Sequence, residues 1–255
     1  MNSHVSVVIS GENLKVADLH AVHPGSGESH SHQTGQVFRL LAGLAVIESD
    51  KGRIIIAPHQ TGWIPPGVSH SAEEHGKLAG WAVYLAPALC ENLPGYACAL
   101  HCSEFIPLIA ERILAWRNAA VPSGRQENLL RVLLDELHAA TPVLQLLPFP
   151  GDERLRRLAR SLAQNPADGR DLAAWAKAVG MSTRNCSRRF REETGMTFAR
   201  WRRFARIYKS RELLAGGMPV QEAAWTTGYE SVSSYIAAFK DIFGVTPGEA
   251  APAPA

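Results

Sequence analysis

Residues Leu172–Gly195 read LAAWAKAVGMSTRNCSRRFREETG, and residues Val220–Gly244 read VQEAAWTTGYESVSSYIAAFKDIFG. Each stretch predicts a short helix with alanine at its centre, a turn containing glycine, and a longer helix that ends in a phenylalanine-centred apolar cluster. This order is the sequence form of a helix-turn-helix, whose second helix can enter the major groove of DNA. Two copies joined by one basic helix therefore indicate binding to double-stranded DNA.

The charge distribution separates the chain into two halves of different chemistry. Residues 1–151 contain nine Lys or Arg against 13 Asp or Glu, whereas residues 152–255 contain 17 against 11. All ten histidines precede residue 139. The basic half suits phosphate groups, and the mildly acidic half is rich in imidazole.

The 255 residues allow one large domain or two ordinary ones, with 46% hydrophobic residues to form full cores. The four cysteines, at 90, 98, 102 and 186, form no CxxC pair, and no apolar run reaches the length of a membrane span. We expect no signal peptide. We therefore expect a cytoplasmic protein with reduced thiols. Cys98 and Cys102 would share a face only if their stretch were helical.

The segment from Val37 to Leu85 is typical of a small β-barrel or sandwich. Short runs rich in Val, Ile and aromatic residues (VFRLL, LAVIES, RIIIAP and GWAVYLA) are separated by turn signals, whereas residues 1–20 show no long periodicity. After Pro87 two apolar stripes follow helical spacing, at Phe105, Ile109, Ile113 and Trp116, and at Leu130, Leu133 or Leu134, and Leu137. Their partner surface is either the barrel or a second chain, and we expect a homodimer.

Capping signals define the helices of the basic half. Asp171, Ser182 and Thr197 are predicted N-caps, and Thr246 with Glu249 predicts a capping box. Gly180 and the pair Gly216-Gly217 are predicted helix ends, and Pro219 suits the first turn of the next helix. These signals predict a long basic helix over 198–215, about 27 Å in length. Such a helix can hold two recognition helices about one DNA turn, 34 Å, apart.

The first candidate recognition helix offers side chains suited to reading bases. Cys186 and Phe190 are predicted to face inward, with Arg189 flanking the core. The outward positions are predicted to be Arg184, Asn185, Ser187, Arg188 and Arg191. Arg pairs with guanine and Asn with adenine in the major groove. Some arginines of the linking helix are expected to contact phosphate, and others to pair with Glu212 or Glu193.

The second candidate recognition helix is chemically different. Tyr235, Ile236 and Phe239 are predicted core residues. Its outward positions are predicted to be Val232, Ser233, Ser234, Ala237 and Lys240. Hydroxyl groups, methyl groups and one cation favour phosphate contacts and shape readout over direct readout.

Residues 152–250 resemble the DNA-binding domain of the AraC/XylS family of bacterial transcription regulators. The resemblance rests on RRFREETGMTF, on GYESVSSYIAAFKDIFGVTP and on the spacing between them. It implies seven helices, two helix-turn-helix units and binding to two successive major grooves. The base-contacting positions that it implies are Arg184, Ser187 and Arg188 on the first unit, and Val232, Ser233, Ser234 and Ala237 on the second.

The imidazole-rich half resembles a cupin. His30-Ser31-His32, then Gln36 and Gly43, and later PPGVSH ending at His70 are similar to the two cupin motifs. The resemblance implies metal ligands at His30, His32, Gln36 and His70, for Ni, Zn, Fe, Cu or Mn. Gln36 stands where cupins usually have Glu, and a neutral amide is a weaker ligand.

Several roles for this half stay open. The histidines form a metal site, a metal-free pocket for an organic effector, or satisfied core groups, and Phe38 and Trp63 are candidate effector-pocket residues. Some metal cupins are enzymes, so the alternative to a sensor is a metal-dependent enzyme fused to a DNA-binding domain. Because this half is fused to two helix-turn-helix units, we expect it to sense an effector and not to act as an enzyme. The expected partners are promoter DNA, a metal or small-molecule effector, a second copy of the chain and RNA polymerase, with no membrane.

The resulting expectation is an α+β multidomain protein. Residues 1–100 are predicted to form a cupin-like sensor barrel, followed by a helical dimerisation or packing segment over 101–140. The proline-rich stretch 141–151 (TPVLQLLPFPG) is the candidate linker. Residues 152–250 are the predicted all-α DNA-binding domain with two helix-turn-helix units, and residues 251–255 a disordered tail.

Overall fold

The computed structural model describes residues 6–10, 14–20, 27–114, 124–143 and 145–251. The chain divides into two compact units. The sheet unit comprises Met1–Ser49 with Ile54–Leu146, and the helical unit comprises Asp50–Arg53 with Leu147–Ala255. Trp116 of the first apolar stripe, and most of the predicted tail, lie outside the described residues.

The sheet unit is built on one antiparallel sheet. Its main strand order is β1-β2-β6-β3-β5-β7-β8, and β4 pairs with β3 outside this order. The nine strands of the described residues are β1 Ser6–Ser10, β2 Leu14–His20, β3 Gly35–Ser49, β4 Gly52–Ile56, β5 Thr61–Ile64, β6 His70–Leu85, β7 Cys98–His101, β8 Thr141–Val143 and β9 Leu146–Pro148. The start of β4 and most of β9 are counted with the helical unit. Within the described residues β8 does not pair back to β1, so the sheet is open at this seam. Whether it is a cupin stays a prediction.

Side chains of the long strand β3 are buried on both faces of the sheet. Successive side chains of a strand point to opposite faces, so neighbouring residues join different clusters. Val37 lies in one apolar cluster with Trp63 and Trp81. Phe38 and its neighbours on the other face lie in a second cluster. The sheet therefore carries two separate cores, one on each face.

Two helices, α1 (Phe105–Leu114) and α2 (Gly124–Ala139), cover the Val37 face. Most residues of their predicted apolar stripes are buried against this face: Ile109, Ile113, Leu133 and Leu137 all lie in that cluster. Complete burial of one such side chain contributes about 1.5–3 kcal/mol. The predicted partner surface of the stripes is thus mainly the chain's own sheet, whereas Phe105 is 64% exposed.

The sheet extends beyond the stretch that its sequence pattern predicted. Strands β1 and β2 lie in residues 1–20, and β2 pairs with β6 from Leu14 opposite Leu85 to His20 opposite Ala79. Strands β8 and β9 lie inside the predicted linker 141–151. Pro142 is tolerated because β8 ends the strand order, and an edge strand can lack a backbone N–H. The Cys98–Cys102 stretch begins as strand β7, not as a helix.

Seven helices form the helical unit, as the family resemblance implies for this part of the chain. They are α3 Glu153–Gln164, α4 Leu172–Ala178, α5 Thr183–Thr194, α6 Phe198–Ala215, α7 Val220–Thr226, α8 Val232–Phe243 and α9 Pro247–Ala250. None of the helices in the described part of the chain combines the length and apolarity that crossing a membrane requires.

The predicted helix ends are confirmed at four caps. The side chain of Asp171 accepts from the backbone N–H of Ala174, and Ser182 and Thr197 cap α5 and α6 in the same way. Thr246 and Glu249 form a complete capping box on α9. Pro219 differs by one residue: it occupies the N-cap position of α7 rather than its first turn.

Candidate nucleic-acid interface and histidine cluster

Helix pairs α4–α5 and α7–α8 share one local design. A glycine with positive φ follows the first helix of each pair, Gly180 at 68° and Gly228 at 86°. Each second helix has 12 residues and begins after a serine cap, Ser182 or Ser231. Left-handed glycines, Gly195 at 72° and Gly244 at 75°, end these helices, because glycine adopts this conformation without steric cost.

The inward face of α5 is fixed by aromatic packing. Cys186 and Phe190 are fully buried, as predicted, and the Phe190 ring lies edge-on to Phe198 and Trp201, 5.6 Å from each. Arg189 flanks this face and forms ion pairs with Glu193, 2.8 Å, and with Asp152 of α3's N-terminus, 2.6 Å. These contacts set the rotation of α5 and hence which side chains face outward.

The outward face of α5 carries the predicted base-reading residues. Arg184, Ser187, Arg188 and Arg191 are exposed, and Asn185 is half-buried. Arg188 donates to Glu192, 2.7 Å, and to the Asn185 side-chain carbonyl, 3.0 Å. Arg184 and Arg191 have no polar side-chain partner among the described residues. The guanidinium groups of Arg184 and Arg191 are therefore available for an external partner, and that of Arg188 is held in place by its neighbours.

The outward face of α8 is small and weakly charged. Ser233, Ser234, Ala237 and Lys240 are exposed, and Val232 is half-buried. The predicted core residues Tyr235 and Phe239 are fully buried, whereas Ile236 is half-buried against the same cluster. Lys240 is the single cation among these outward positions.

Most cations of the linking helix α6 serve the helical unit itself. Arg202 donates to the backbone carbonyls of Asp168 and Arg170, and Arg206 donates to that of Pro166, 3.3 Å. Lys209 pairs with Glu212 at 2.7 Å. The Arg211 guanidinium lies 4.6 Å from the Phe243 ring centre. Arg200 and Arg203 are exposed, and Arg203 forms an exposed ion pair with Asp241, 3.2 Å. The α6 residues still expected to contact phosphate are therefore these two. Glu193, an expected partner of this helix, is held by Arg189 instead.

In the sheet unit, the three predicted histidine ligands come together. His30 and His70 exchange two backbone hydrogen bonds of 2.9 Å, which places their side chains next to each other. The ring centre of His70 lies 4.4 Å from that of His30 and 5.0 Å from that of His32. We call His30, His32, His70 and Gln36 the histidine cluster.

Each imidazole of the cluster is oriented by a backbone carbonyl. The Nδ1 atom lies 3.1 Å from the Glu28 oxygen in His30, and 2.9 Å from the Val68 oxygen in His70. The Nδ1 atom of His32 lies within hydrogen-bond distance of the Thr34 oxygen. A carbonyl only accepts, so Nδ1 carries the proton and the Nε2 lone pair stays available, as in metal-binding histidines.

The surroundings of His70 favour its neutral imidazole. Burial lowers the pKa of His70, and positive charge on His30 or His32 lowers it further, against the opposing effect of the Val68 carbonyl. Only neutral imidazole coordinates a metal. His70 is therefore held toward the form that can ligate a metal.

Gln36 completes the donor set. Its Oε1 atom lies 3.1 Å from the His32 Nε2 atom, and its amide nitrogen lies 3.4 Å from the Tyr84 hydroxyl. When His32 is protonated on Nδ1, its Nε2 lone pair and the Gln36 oxygen are two acceptors that face each other. A cation between them, or a flipped Gln36 amide, would remove this repulsion. Three anchored imidazoles and an amide oxygen fit a borderline transition metal.

The two predicted effector-pocket residues lie in different places. Phe38 is buried in the cluster on one face of the sheet, and Trp63 in the cluster on the other. Trp63 donates from Nε1 to the Pro94 carbonyl, 2.7 Å, so its polar atom is satisfied within the core. The structure separates the two residues, and each is a core residue.

Comparisons with known proteins agree with the helical unit's design. A family model described as "Helix-turn-helix domain" matches residues 175–251. The HTH-type transcriptional regulator NimR of Escherichia coli (strain K12) is 31% identical over 236 residues, covering 89% of this chain and 84% of NimR. The arabinose operon regulatory protein of the same organism is 25% identical over 229 residues, covering 82% of this chain and 77% of that protein. Among solved structures, ToxT from Vibrio cholerae O395 shares 12% identity at a TM-score of 0.40, over 92% of this chain and 95% of ToxT.

Proposed function

This chain belongs to the AraC-type helix-turn-helix transcriptional regulators, and on that premise we propose that it binds promoter DNA through α5 and α8. The observation that supports this most is the repeated helix pair, in which each second helix has a fixed buried face and an exposed outward face. Both helix pairs then act as helix-turn-helix units in successive major grooves.

The two units divide the work. Arg184, Asn185 and Arg188 of α5 supply the donors and acceptors that distinguish guanine and adenine. The hydroxyl and methyl groups of α8, with Lys240, supply phosphate contacts and shape readout. Sequence preference should therefore concentrate in the half-site that α5 contacts.

The test is binding of the full-length chain to DNA upstream of its own and adjacent genes. We expect sequence-specific binding that weakens steeply as salt rises. The double variant Arg184→Ala with Arg188→Ala is the control, since it keeps the fold and removes two base-reading groups. Binding that does not distinguish these promoters from scrambled DNA would contradict the proposal.

For the sheet unit, we propose that the histidine cluster holds a divalent transition metal (Ni, Zn, Fe, Cu or Mn) through His30, His32 and His70. Gln36 is then a weak fourth ligand beside an open position. The bound cation would act as the effector, or would bind an effector at that open position. The alternative is that the same cluster takes an organic effector without metal.

Elemental analysis of the purified full-length chain separates these alternatives. We expect about one metal ion per chain, lost in His70→Ala. Metal that survives this substitution, or a cluster that cannot be loaded with any of the five metals, would contradict the metal site. A ligand changes DNA affinity only by its differential affinity for two states, so the loaded and metal-free proteins should differ in promoter binding.

We also propose that the sheet unit senses and does not catalyse. The supporting fact is that the curated relatives named above are regulators. Metal-dependent oxygen uptake by the purified chain, lost in His70→Ala, would favour the enzyme alternative. RNA polymerase remains an expected partner at the promoter.

Finally, we propose a homodimer formed through the sheet unit. Although α1 and α2 bury most of their apolar residues, Phe105 and Val132 stay 64% and 45% exposed. Exposed apolar side chains on neighbouring helices favour self-association. Light scattering at micromolar concentration tests this, and a monomer unchanged by DNA or metal would contradict it.

A further inference from the structure

Arg39 lies on β3, on the face opposite Gln36 and Phe38. It pairs with Thr61 in the β3–β5 register and donates from Nη1 to the Thr61 hydroxyl, 3.2 Å. This is its one polar side-chain contact with the described residues, and its Nε atom is buried without a hydrogen-bond partner. A half-buried guanidinium thus keeps unused donors.

A groove of about 640 Å³ lies in front of Arg39, within the sheet unit. His59 and His101 add exposed imidazoles to the groove, and neither ring has a hydrogen-bond partner among the described residues. Leu100, Pro107 and Leu108 form an apolar wall. A groove of this size with an apolar wall and a few converging polar groups is typical of small-molecule sites.

Nothing near Arg39 in the described structure neutralises its charge. Glu104 also lines the groove, but it forms no ion pair with Arg39. Burial raises the pKa of the nearby Cys102 thiol, so that group stays uncharged at neutral pH. Donors that a partly buried cation leaves unpaired are costly, and an anionic ligand would satisfy them.

The loop beside the groove is held in an unusual conformation. His59 has φ of 65°, and within the described chain it is the one non-glycine residue with a positive φ. The turn is closed by Gln60 N–H donating to the Ala57 carbonyl, 3.0 Å, and His59 N–H donates to the Leu40 carbonyl, 2.7 Å. Such conformations cost about 1–3 kcal/mol and cluster at ligand sites.

We propose that this groove binds an organic carboxylate with an apolar body. The carboxylate accepts two parallel hydrogen bonds from the Arg39 guanidinium, and the apolar body packs on Leu100, Pro107 and Leu108. The site is separate from the histidine cluster, because Arg39 and Gln36 point to opposite faces of the sheet. The chain then carries two ligand sites of different chemistry.

Isothermal titration of the full-length protein with benzoate tests the proposal, with benzyl alcohol and inorganic phosphate as parallel probes. We expect saturable benzoate binding that Arg39→Gln weakens at least about tenfold. Arg131→Gln, an exposed arginine on α2 outside the groove, is the matched control and should leave binding unchanged. Benzyl alcohol and phosphate should bind much more weakly, since each lacks one of the two recognised features.

A second variant tests the groove independently, so that the proposal stays testable if Arg39→Gln misfolds. Leu108→Glu changes an exposed residue of the apolar wall and should also weaken benzoate binding, with an unchanged melting temperature. No benzoate binding up to about 20 mM, or equal binding by Arg39→Gln and the native chain, would overturn the proposal. So would phosphate binding as tight as benzoate. Because His70→Ala should bind benzoate normally, this outcome is independent of the metal site and of DNA binding.

Discussion

The Nε2 atom of His32 lies 3.1 Å from the Oε1 atom of Gln36, while the other ring nitrogen of His32 is committed to the Thr34 carbonyl. This contact predicts the effect of restoring a carboxylate. Gln36→Glu should raise the affinity for a divalent metal at least about tenfold, because a charged oxygen replaces a weak neutral ligand. Competition with a chromogenic chelator measures the change.

Gln60→Glu is the matched control for this experiment. It makes the same chemical change in the same sheet unit, but Gln60 is engaged with Ala57 and Gln145, and it should leave metal affinity unchanged. An unchanged or reduced affinity in Gln36→Glu would mean that its side chain does not face the metal.

Base recognition by α5 gives a second prediction. Arg184→Ala or Arg188→Ala should cost about 1–3 kcal/mol of binding free energy at the preferred sequence and relax the preference at one or two base pairs. Lys240→Ala should weaken all sequences about equally, since a phosphate contact carries no sequence information. Competition among operators that differ at single positions separates the two effects. If the arginine variants lose affinity uniformly, α5 is rotated differently from this assignment.

Asp152 links stability to acid pH. It caps α3 through the N–H groups of Arg154 and Leu155 and pairs with Arg189. The hydrogen bond from the Arg154 side chain, followed by backbone hydrogen bonds, lowers the pKa of Asp152 to about 2. Its stabilisation is therefore present above pH about 4 and is lost as pH falls toward 2.

The corresponding variant is Asp152→Ala, which should cost about 1 kcal/mol of unfolding free energy at pH 7. The difference from the native chain should shrink below pH 3. Urea unfolding followed by circular dichroism at both pH values measures it. The neighbouring Glu153→Gln, whose side chain is 62% exposed, should change stability by less than about 0.5 kcal/mol. A loss in Asp152→Ala that is equally large at pH 2 would show that the carboxylate charge is irrelevant.

The contribution of Glu74 to stability should have the opposite pH dependence. One of its carboxylate oxygens is buried without a hydrogen-bond partner, and burial raises its pKa to about 6. The protonated acid is the better-tolerated form, so stability from this residue is present below pH about 4.5 and is lost as pH rises through 6.

Glu74→Gln should therefore stabilise the chain at pH 7.5. The gain should be less than about 1 kcal/mol, because the side chain is only half-buried and solvent screens it. Melting temperatures at pH 7.5 and pH 4 measure the effect, which should disappear at the lower pH. The exposed Glu91→Gln should show no such dependence. A lower melting temperature of Glu74→Gln at pH 7.5 would contradict this account.

Features determined by a few neighbouring residues could be predicted from the sequence. The caps at Asp171 and Ser182 and the buried positions Cys186 and Phe190 follow from local geometry, because a cap acts within three residues and helical spacing selects a face. The gathering of His30, His32 and His70 follows from the motif spacing, although His30 forms only an isolated bridge and His32 lies before β3. The carbonyl contacts that fix their ring nitrogens do not appear in that spacing.

Features that depend on distant pairing could not be predicted. Strand β2 exists because it pairs with β6, whose paired residues lie 59 to 71 positions away in sequence, and its own pattern is weak. Phe38 and Trp63 could be assigned to opposite faces only once the β3–β5 register was known. Arg39 has one signal in the sequence, a single cation inside the apolar run VFRLL, and this signal does not indicate a groove.

The use of the arginines in α6 has a consequence for the energetics of DNA association. Residues 152–255 contain 17 cationic side chains, but four on α6 are held by carbonyls, a carboxylate or an aromatic ring. Only cations that reach phosphates displace condensed counterions, and each displaces about 0.9 of a monovalent ion. The number of ions released, read from the slope of log affinity against log salt, should therefore count the few free cations of α5, α6 and α8. The composition of the helical unit overstates that number.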